Sequence, residues 1–191
     1  MTSFRLALVG GGARSGKSAF ALALARTLGP RRLFVATAQA WDAEMAARIA
    51  AHRAERAAGF ETLEEPFDPA AAIARAGGAD VVLLDCLTLW LSNLLVRGES
   101  EAEIERKVVA LADALRAAPF ASIVVTNEVG MGIVPESPLG RTFRDVAGRA
   151  HQAFAARADR VYFAMLGTVL RLAPGPVAVE PTPTPTPGEH P

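Results

Sequence analysis

The sequence predicts an α/β domain, with helices on both faces of a mostly parallel sheet. Three observations carry this expectation. Short apolar runs recur along the chain and read as buried strands. Amphipathic stretches of helical period separate them, as crossover connections between parallel strands require. The first strand runs into a glycine-rich turn that opens directly onto a helix.

The elements follow in order. Residues 4–9 (FRLALV) are an apolar run ended by Gly10-Gly11-Gly12, the pattern of a buried parallel strand. Residues 18–28 (SAFALALARTL) hold good helix formers without a breaker, and Gly29-Pro30 closes them. Residues 33–37 are a second strand. Residues 42–56 form a polar–apolar helix with Asp42 at the N-cap position. Residues 80–85 (DVVLLD) are a third strand, and residues 87–96 a buried helix. Residues 101–117 make a surface helix with Ile104, Val108, Leu111 and Leu115 on one face. Residues 122–126 are a fourth strand and residues 139–158 a further helix. Residues 161–165 and 169–172 flank Gly167-Thr168 and read as a terminal strand pair. The domain is expected over residues 1–174. Residues 175–191 are read as an extended tail, because proline alternates with threonine over 181–187 and cannot donate a ladder of hydrogen bonds.

Composition limits the function classes. A chain of 191 residues fits one domain. Lys+Arg and Asp+Glu are each 20, so the formal charge is zero, which argues against a nucleic-acid partner. Lys17 and Lys107 are the only lysines. The single cysteine, Cys86, excludes an internal disulfide and fits a reducing compartment. No apolar stretch reaches membrane-spanning length, and no cleavable signal pattern precedes the first strand. A cytoplasmic protein is expected.

Gly11-Gly12-Ala13-Arg14-Ser15-Gly16-Lys17-Ser18 matches G-x-x-x-x-G-K-[ST] between a strand and a helix. Glycines let backbone N–H groups turn inward around phosphate oxygens, and the helix N-terminus adds a positive field. Lys17 is a point charge for the outer phosphates, and Ser18 offers a hydroxyl to Mg²⁺. Asp85 ends the third strand, where a carboxylate holds Mg²⁺ directly or through water. The alternative is an Asp that caps the helix at Leu87, and the two roles can coexist. These features point to a P-loop NTPase. A GTPase switch is disfavoured, because no N-K-x-D motif is present and the D-x-x-G at residues 145–148 lies inside a helical pattern. A dinucleotide-binding reading fails on glycine spacing. Small-molecule kinase is the default; a nucleotide-dependent binding or regulatory module is the alternative.

Glu44, Arg48, His52 and Arg56 recur every four residues and form one stripe on the predicted helix. Arginines one turn before and after His52 disfavour its protonated form and can hold phosphate oxygens. A neutral imidazole so placed can attack phosphorus. The alternative is a solvated histidine on a polar face.

The motifs at residues 11–18, 36–38 (ATA), 42–49 (DAEMAARI), 52–53 (HR), 64–66 (EEP), 84–93 (LDCLTLWLSN), 126–136 (TNEVGMGIVPE) and 143–148 (FRDVAG) together resemble one family. It is the bifunctional adenosylcobinamide kinase / adenosylcobinamide-phosphate guanylyltransferase family of cobalamin biosynthesis. The resemblance covers roughly residues 5–172, and the 126–136 run is its most specific part. It implies a RecA-like P-loop three-layer sandwich and two reactions. ATP or GTP phosphorylates the aminopropanol hydroxyl of adenosylcobinamide. GTP then gives GMP to a histidine, and the substrate phosphate takes it to form adenosylcobinamide-GDP.

The resemblance assigns the guanylylated histidine to His52. It gives Lys17 and Ser18 phosphate and Mg²⁺ contacts, and Glu64 and Asp85 nucleotide or metal roles. Arg48, Arg53 and Arg56 are read as nucleotide-binding. It also implies a homotrimer. Where relatives carry two adjacent histidines this chain has Ala51-His52, and where they carry Asn-Gln it has His151-Gln152. His151 is read as a residue of the helix surface, with a second polar contact as the alternative. Asn127-Glu128 is read either as a structured turn or as part of a loop lining the nucleotide or corrinoid site, and Cys86 as an inert packing residue.

Overall fold

The computed structural model describes residues 4–39 and 59–181. The thirteen elements among them are β1 (Leu6–Gly11), α1 (Lys17–Arg26), β2 (Arg32–Ala36), β3 (Glu61–Glu64), α2 (Pro69–Ala74), β4 (Val81–Asp85), α3 (Leu87–Val96), α4 (Glu101–Ala117), β5 (Ala121–Asn127), α5 (Pro138–Ala155), β6 (Arg160–Met165), β7 (Thr168–Ala173) and β8 (Ala178–Glu180). They build one eight-stranded sheet in the order β3-β2-β4-β5-β1-β6-β7-β8. The six strands from β3 to β6 pair in parallel; β7 and β8 add antiparallel strands at one edge. β5 is interposed between the phosphate-loop strand and the strand ending in Asp85, which is the RecA-like order.

Period-two alternation in the strands divides the core into two layers. Leu6, Leu8, Leu33, Val35, Val82, Leu84 and Val124 face one side and pack against α2 to α5. Ala7, Val9, Phe34, Val81, Leu83, Ile123 and Val125 face the other side, where Phe20, Ala21 and Ala25 of α1 cover them. Both sheet faces are therefore filled, which is why the central strands read as continuous apolar runs. Caps fix the long helices. Ser100 and Glu103 form a reciprocal capping box at α4, and Ser137 Oγ accepts the Gly140 N–H at α5. Among the described residues no helix is long and apolar enough to cross a membrane.

Three elements depart from the sequence reading. β3 was not expected: its residues Glu61-Thr62-Leu63-Glu64 are mostly exposed on an edge and carry no strong apolar alternation. α2 has six residues, too few to show a helical period, and is fixed by Asp68 at its N-cap and Pro69 in its first turn. β8 extends the sheet past residue 174 into the segment read as tail. Residues 177–180 precede the proline–threonine alternation, and Arg171 Nε donates to Glu180 Oε1 across the β7–β8 pair at 2.9 Å.

Candidate nucleotide site

The carboxyl ends of the parallel strands gather the chemistry-bearing residues on one edge, where ligands of open α/β sheets bind. The ladder sets their order. Ala36 on β2 is level with Glu64 on β3 and with Asp85 on β4, while Gly11 on β1 is level with Asn127 on β5. Strand spacing puts the Glu64 and Asp85 backbones about 10 Å apart.

The phosphate loop joins β1 to α1. A side chain at Gly11 would meet the Ala164 carbonyl oxygen at 2.5 Å and Ser15 Oγ at 2.6 Å, so only glycine fits there. Gly16 occupies the left-handed region at φ 89° and starts α1 without a side-chain cap. The helix N-terminus thus keeps its amides for an incoming anion. Ser15 Oγ is buried with no hydrogen-bond partner, an orphaned polar atom inside a turn shaped for phosphate. Ala13, Arg14 and Gly16 are exposed, and Gly12 and Ser18 are half-buried.

Lys17 is buried and its Nζ donates to the Gly12 carbonyl at 3.1 Å, folding the side chain back across the loop. Burial pushes its pKa down; Asp85 and then Cys86 oppose that. The Asp85 charge favours the protonated ammonium, and β4 and β1 both pair with β5 in parallel, so Asp85 and the phosphate loop lie on the same edge of the sheet. Cys86 is fully buried, and burial with the Asp85 charge pushes its thiol up to about 11. It stays a neutral thiol, in line with its reading as a packing residue.

A network of buried polar groups holds the strand ends in place. Thr37 Oγ1 donates to the Cys86 carbonyl at 2.8 Å and accepts from the Cys86 N–H at 2.9 Å. Asn93 Nδ2 donates to the carbonyls of Thr37 at 2.8 Å and Pro66 at 3.0 Å, tying the exit of β2 to the loop after β3. Asn127 Nδ2 donates to Thr88 Oγ1 at 3.2 Å, and the Glu128 N–H donates to the Gly11 carbonyl at 2.9 Å. Asn127-Glu128 thus begins a structured segment attached to the phosphate loop.

His151 departs from the surface reading. It is mostly buried, with Nε2 2.7 Å from Thr126 Oγ1 and Nδ1 3.7 Å from Glu128 Oε2. Burial lowers its pKa, and the Glu128 carboxylate raises it in opposition. Thr37 and Asn93 lie inside motifs quoted above, but their bridging role depends on contacts 27 to 56 residues apart. Glu64 is exposed at the end of β3. Arg48, His52, Arg53 and Arg56 lie outside the described residues.

Strand order and loop define a RecA-like phosphate-loop nucleotide-binding protein. Residues 7–172 match the family described as cobinamide kinase / cobinamide phosphate guanyltransferase. The chain is 44% identical over 171 residues to the bifunctional adenosylcobalamin biosynthesis protein CobP of Pseudomonas aeruginosa, covering 89% of this chain and 98% of that one. It is 41% identical over 179 residues to the bifunctional adenosylcobalamin biosynthesis protein CobU of Salmonella typhimurium, covering 86% and 98%. The chain belongs to the cobinamide kinase / cobinamide phosphate guanyltransferase family. A solved structure of the RadB recombinase is similar at a TM-score of 0.48 and 18% identity, over 87% of this chain and 78% of that one. The fold class rests on the strand order rather than on that likeness.

Proposed function

We propose that the phosphate loop serves two successive transfers to one corrinoid acceptor. Family membership makes the chain a nucleotide-using bifunctional enzyme, cobinamide kinase and guanyltransferase. In the first transfer the aminopropanol hydroxyl of adenosylcobinamide attacks the outer phosphorus of ATP or GTP. The hydroxyl gives up its proton, a new P–O bond forms, and a nucleoside diphosphate leaves. Lys17 offsets the charge that builds on the transferred group. Gly11 to Ser18 hold the triphosphate through backbone amides and side chains.

In the second transfer His52 attacks the α-phosphorus of GTP, and pyrophosphate leaves. An oxygen of the adenosylcobinamide phosphate then displaces the imidazole, giving adenosylcobinamide-GDP and free His52. Arg48, Arg53 and Arg56 are the guanidinium groups on the segment of His52 suited to the phosphates. Glu64 is assigned to the nucleotide.

Ser18 and Asp85 are the residues that would hold Mg²⁺. One hydroxyl and one carboxylate are hard oxygen donors, the set Mg²⁺ accepts when phosphate oxygens and water fill its other positions. When bound, the ion offsets charge on the triphosphate and the leaving pyrophosphate. The working assembly we infer is a cytoplasmic homotrimer.

The observation that carries this reading is the family match across residues 7–172, with the phosphate loop inside it. Purified chain incubated with adenosylcobinamide, Mg²⁺ and either ATP or GTP is expected to form the phosphate. Further GTP is expected to yield adenosylcobinamide-GDP and pyrophosphate. Nucleotide binding without either product would identify a regulatory module instead; phosphate without the GDP product would identify a kinase alone.

A further inference from the structure

Next to the phosphate loop, the segment after β5 displays apolar side chains to solvent. Met131 is 80% exposed, Ile133 96%, Val134 57%, and Leu139 at the start of α5 54%. Four large apolar side chains exposed within nine residues of sequence mark an interaction surface. The segment is braced at both ends. At its start the Gly130 N–H donates to Glu128 Oε1 at 2.5 Å. At its end Arg141 Nη1 donates to the carbonyls of Pro135 at 3.1 Å and Glu136 at 2.6 Å. These hydrogen bonds fix the backbone at the two ends of the segment, and Met131, Ile133 and Val134 between them are exposed although burial would be favourable.

We propose that this braced patch is the platform that receives the corrinoid body of the acceptor, beside the phosphate being transferred. The inference rests on the acceptor named in the preceding subsection. Its first support is position. The segment starts at Glu128, whose N–H is bonded to Gly11 of the phosphate loop. The acceptor oxygen must come within about 3–3.5 Å of the outer phosphorus to react. A macrocycle carrying that hydroxyl on a short arm must then lie over this edge of the sheet.

Chemistry and size agree with position. No charged side chain lies between Glu128 and Glu136, so the segment is unsuited to phosphate and suited to the apolar face of a large ring. The four side chains make a patch on the order of a few hundred Å². That is short of the roughly 800 Å² per partner in a standard protein–protein interface, which disfavours a second copy of the chain as occupant.

The test uses the full chain and the double substitution Met131→Gln with Ile133→Asn, at positions exposed enough for the fold to tolerate polar groups. Three quantities are measured: adenosylcobinamide binding by equilibrium dialysis, steady-state kinase kinetics with Mg²⁺ and ATP, and assembly size by sedimentation. The expected result is a rise of about tenfold or more in Kd and KM for adenosylcobinamide. KM for ATP and the sedimentation behaviour stay at wild-type values. Unchanged corrinoid affinity overturns the inference. A smaller assembly, with or without altered affinity, assigns the patch to a second copy and also overturns it. A wild-type chain that neither binds nor phosphorylates adenosylcobinamide refutes the acceptor reading itself, before any variant is compared.

Discussion

Replacing His151 tests whether α5 is fastened to the end of β5 by one part-buried polar contact. Thr126 is 2% exposed, and His151 Nε2 lies 2.7 Å from its hydroxyl. His151→Ala removes that partner. A buried hydroxyl left unsatisfied costs about 1–3 kcal/mol. The vacated ring volume adds to this, so a total loss of roughly 2–4 kcal/mol is expected. In His151→Gln the terminal amide reaches about as far as the imidazole Nε2, so the contact to Thr126 is kept and the loss stays below about 1 kcal/mol.

The pH dependence gives a second reading of the same contact. Burial lowers the folded-state pKa of His151 from its ordinary 6.5, against the opposing Glu128 carboxylate. Below that ordinary value the unfolded chain takes up a proton that the folded chain resists, so stability falls with pH. The contribution is fully present above about 6.5 and is lost as the pH drops toward the lowered folded pKa. His151→Gln lacks this loss. Urea unfolding of wild type and both variants at pH 7.5 and pH 5 measures all of these terms. A His151→Ala protein within about 0.5 kcal/mol of wild type would refute the reasoning, since that is the scale of an ordinary surface substitution. So would a wild-type-to-Gln difference that is the same at both pH values.

Gly11→Ala places a Cβ 2.5 Å from the Ala164 carbonyl, so the loop must shift. Triphosphate affinity measured by calorimetry is expected to fall at least tenfold, with a lowered Tm. Lys17→Ala removes the ammonium that donates to the Gly12 carbonyl. A charge-assisted hydrogen bond is worth about 1.5–3 kcal/mol, so triphosphate affinity should drop roughly 10- to 100-fold while the circular dichroism spectrum is retained. Cys86, buried with its pKa at about 11, should resist iodoacetamide at pH 8 in the native protein and react once urea unfolds it. Alkylation of native protein at the unfolded rate would contradict its place in the core.

The central strands and the phosphate loop were legible in the sequence because each depends on local pattern. Residues 81–84 are apolar on both faces, and Gly11 to Ser18 carry their chemistry within eight positions. Asp85 was legible for the same reason, as the carboxylate closing an apolar strand. His151 was not. On α5 it follows a polar pattern, and only the fold brings Thr126, 25 residues earlier, within hydrogen-bond reach. β3 was hidden because an exposed edge strand needs little apolar alternation, and Glu61 and Glu64 put a charge on each of its two faces. The bridging Asn93 looked like one polar residue in an apolar helix. Its two carbonyl partners come from loops that converge only after β2, β3 and β4 pair.

The central claim is covalent: one imidazole carries the nucleotide between GTP and the corrinoid phosphate. Mass spectrometry of the intact chain after exposure to GTP and Mg²⁺, followed by mapping of the modified peptide, addresses it most directly. A single GMP adduct is expected on His52, labile to acid, stable to base and absent from His52→Ala. A wild-type protein that binds GTP and forms adenosylcobinamide-GDP without ever carrying the adduct, or that carries it on another residue, would contradict it.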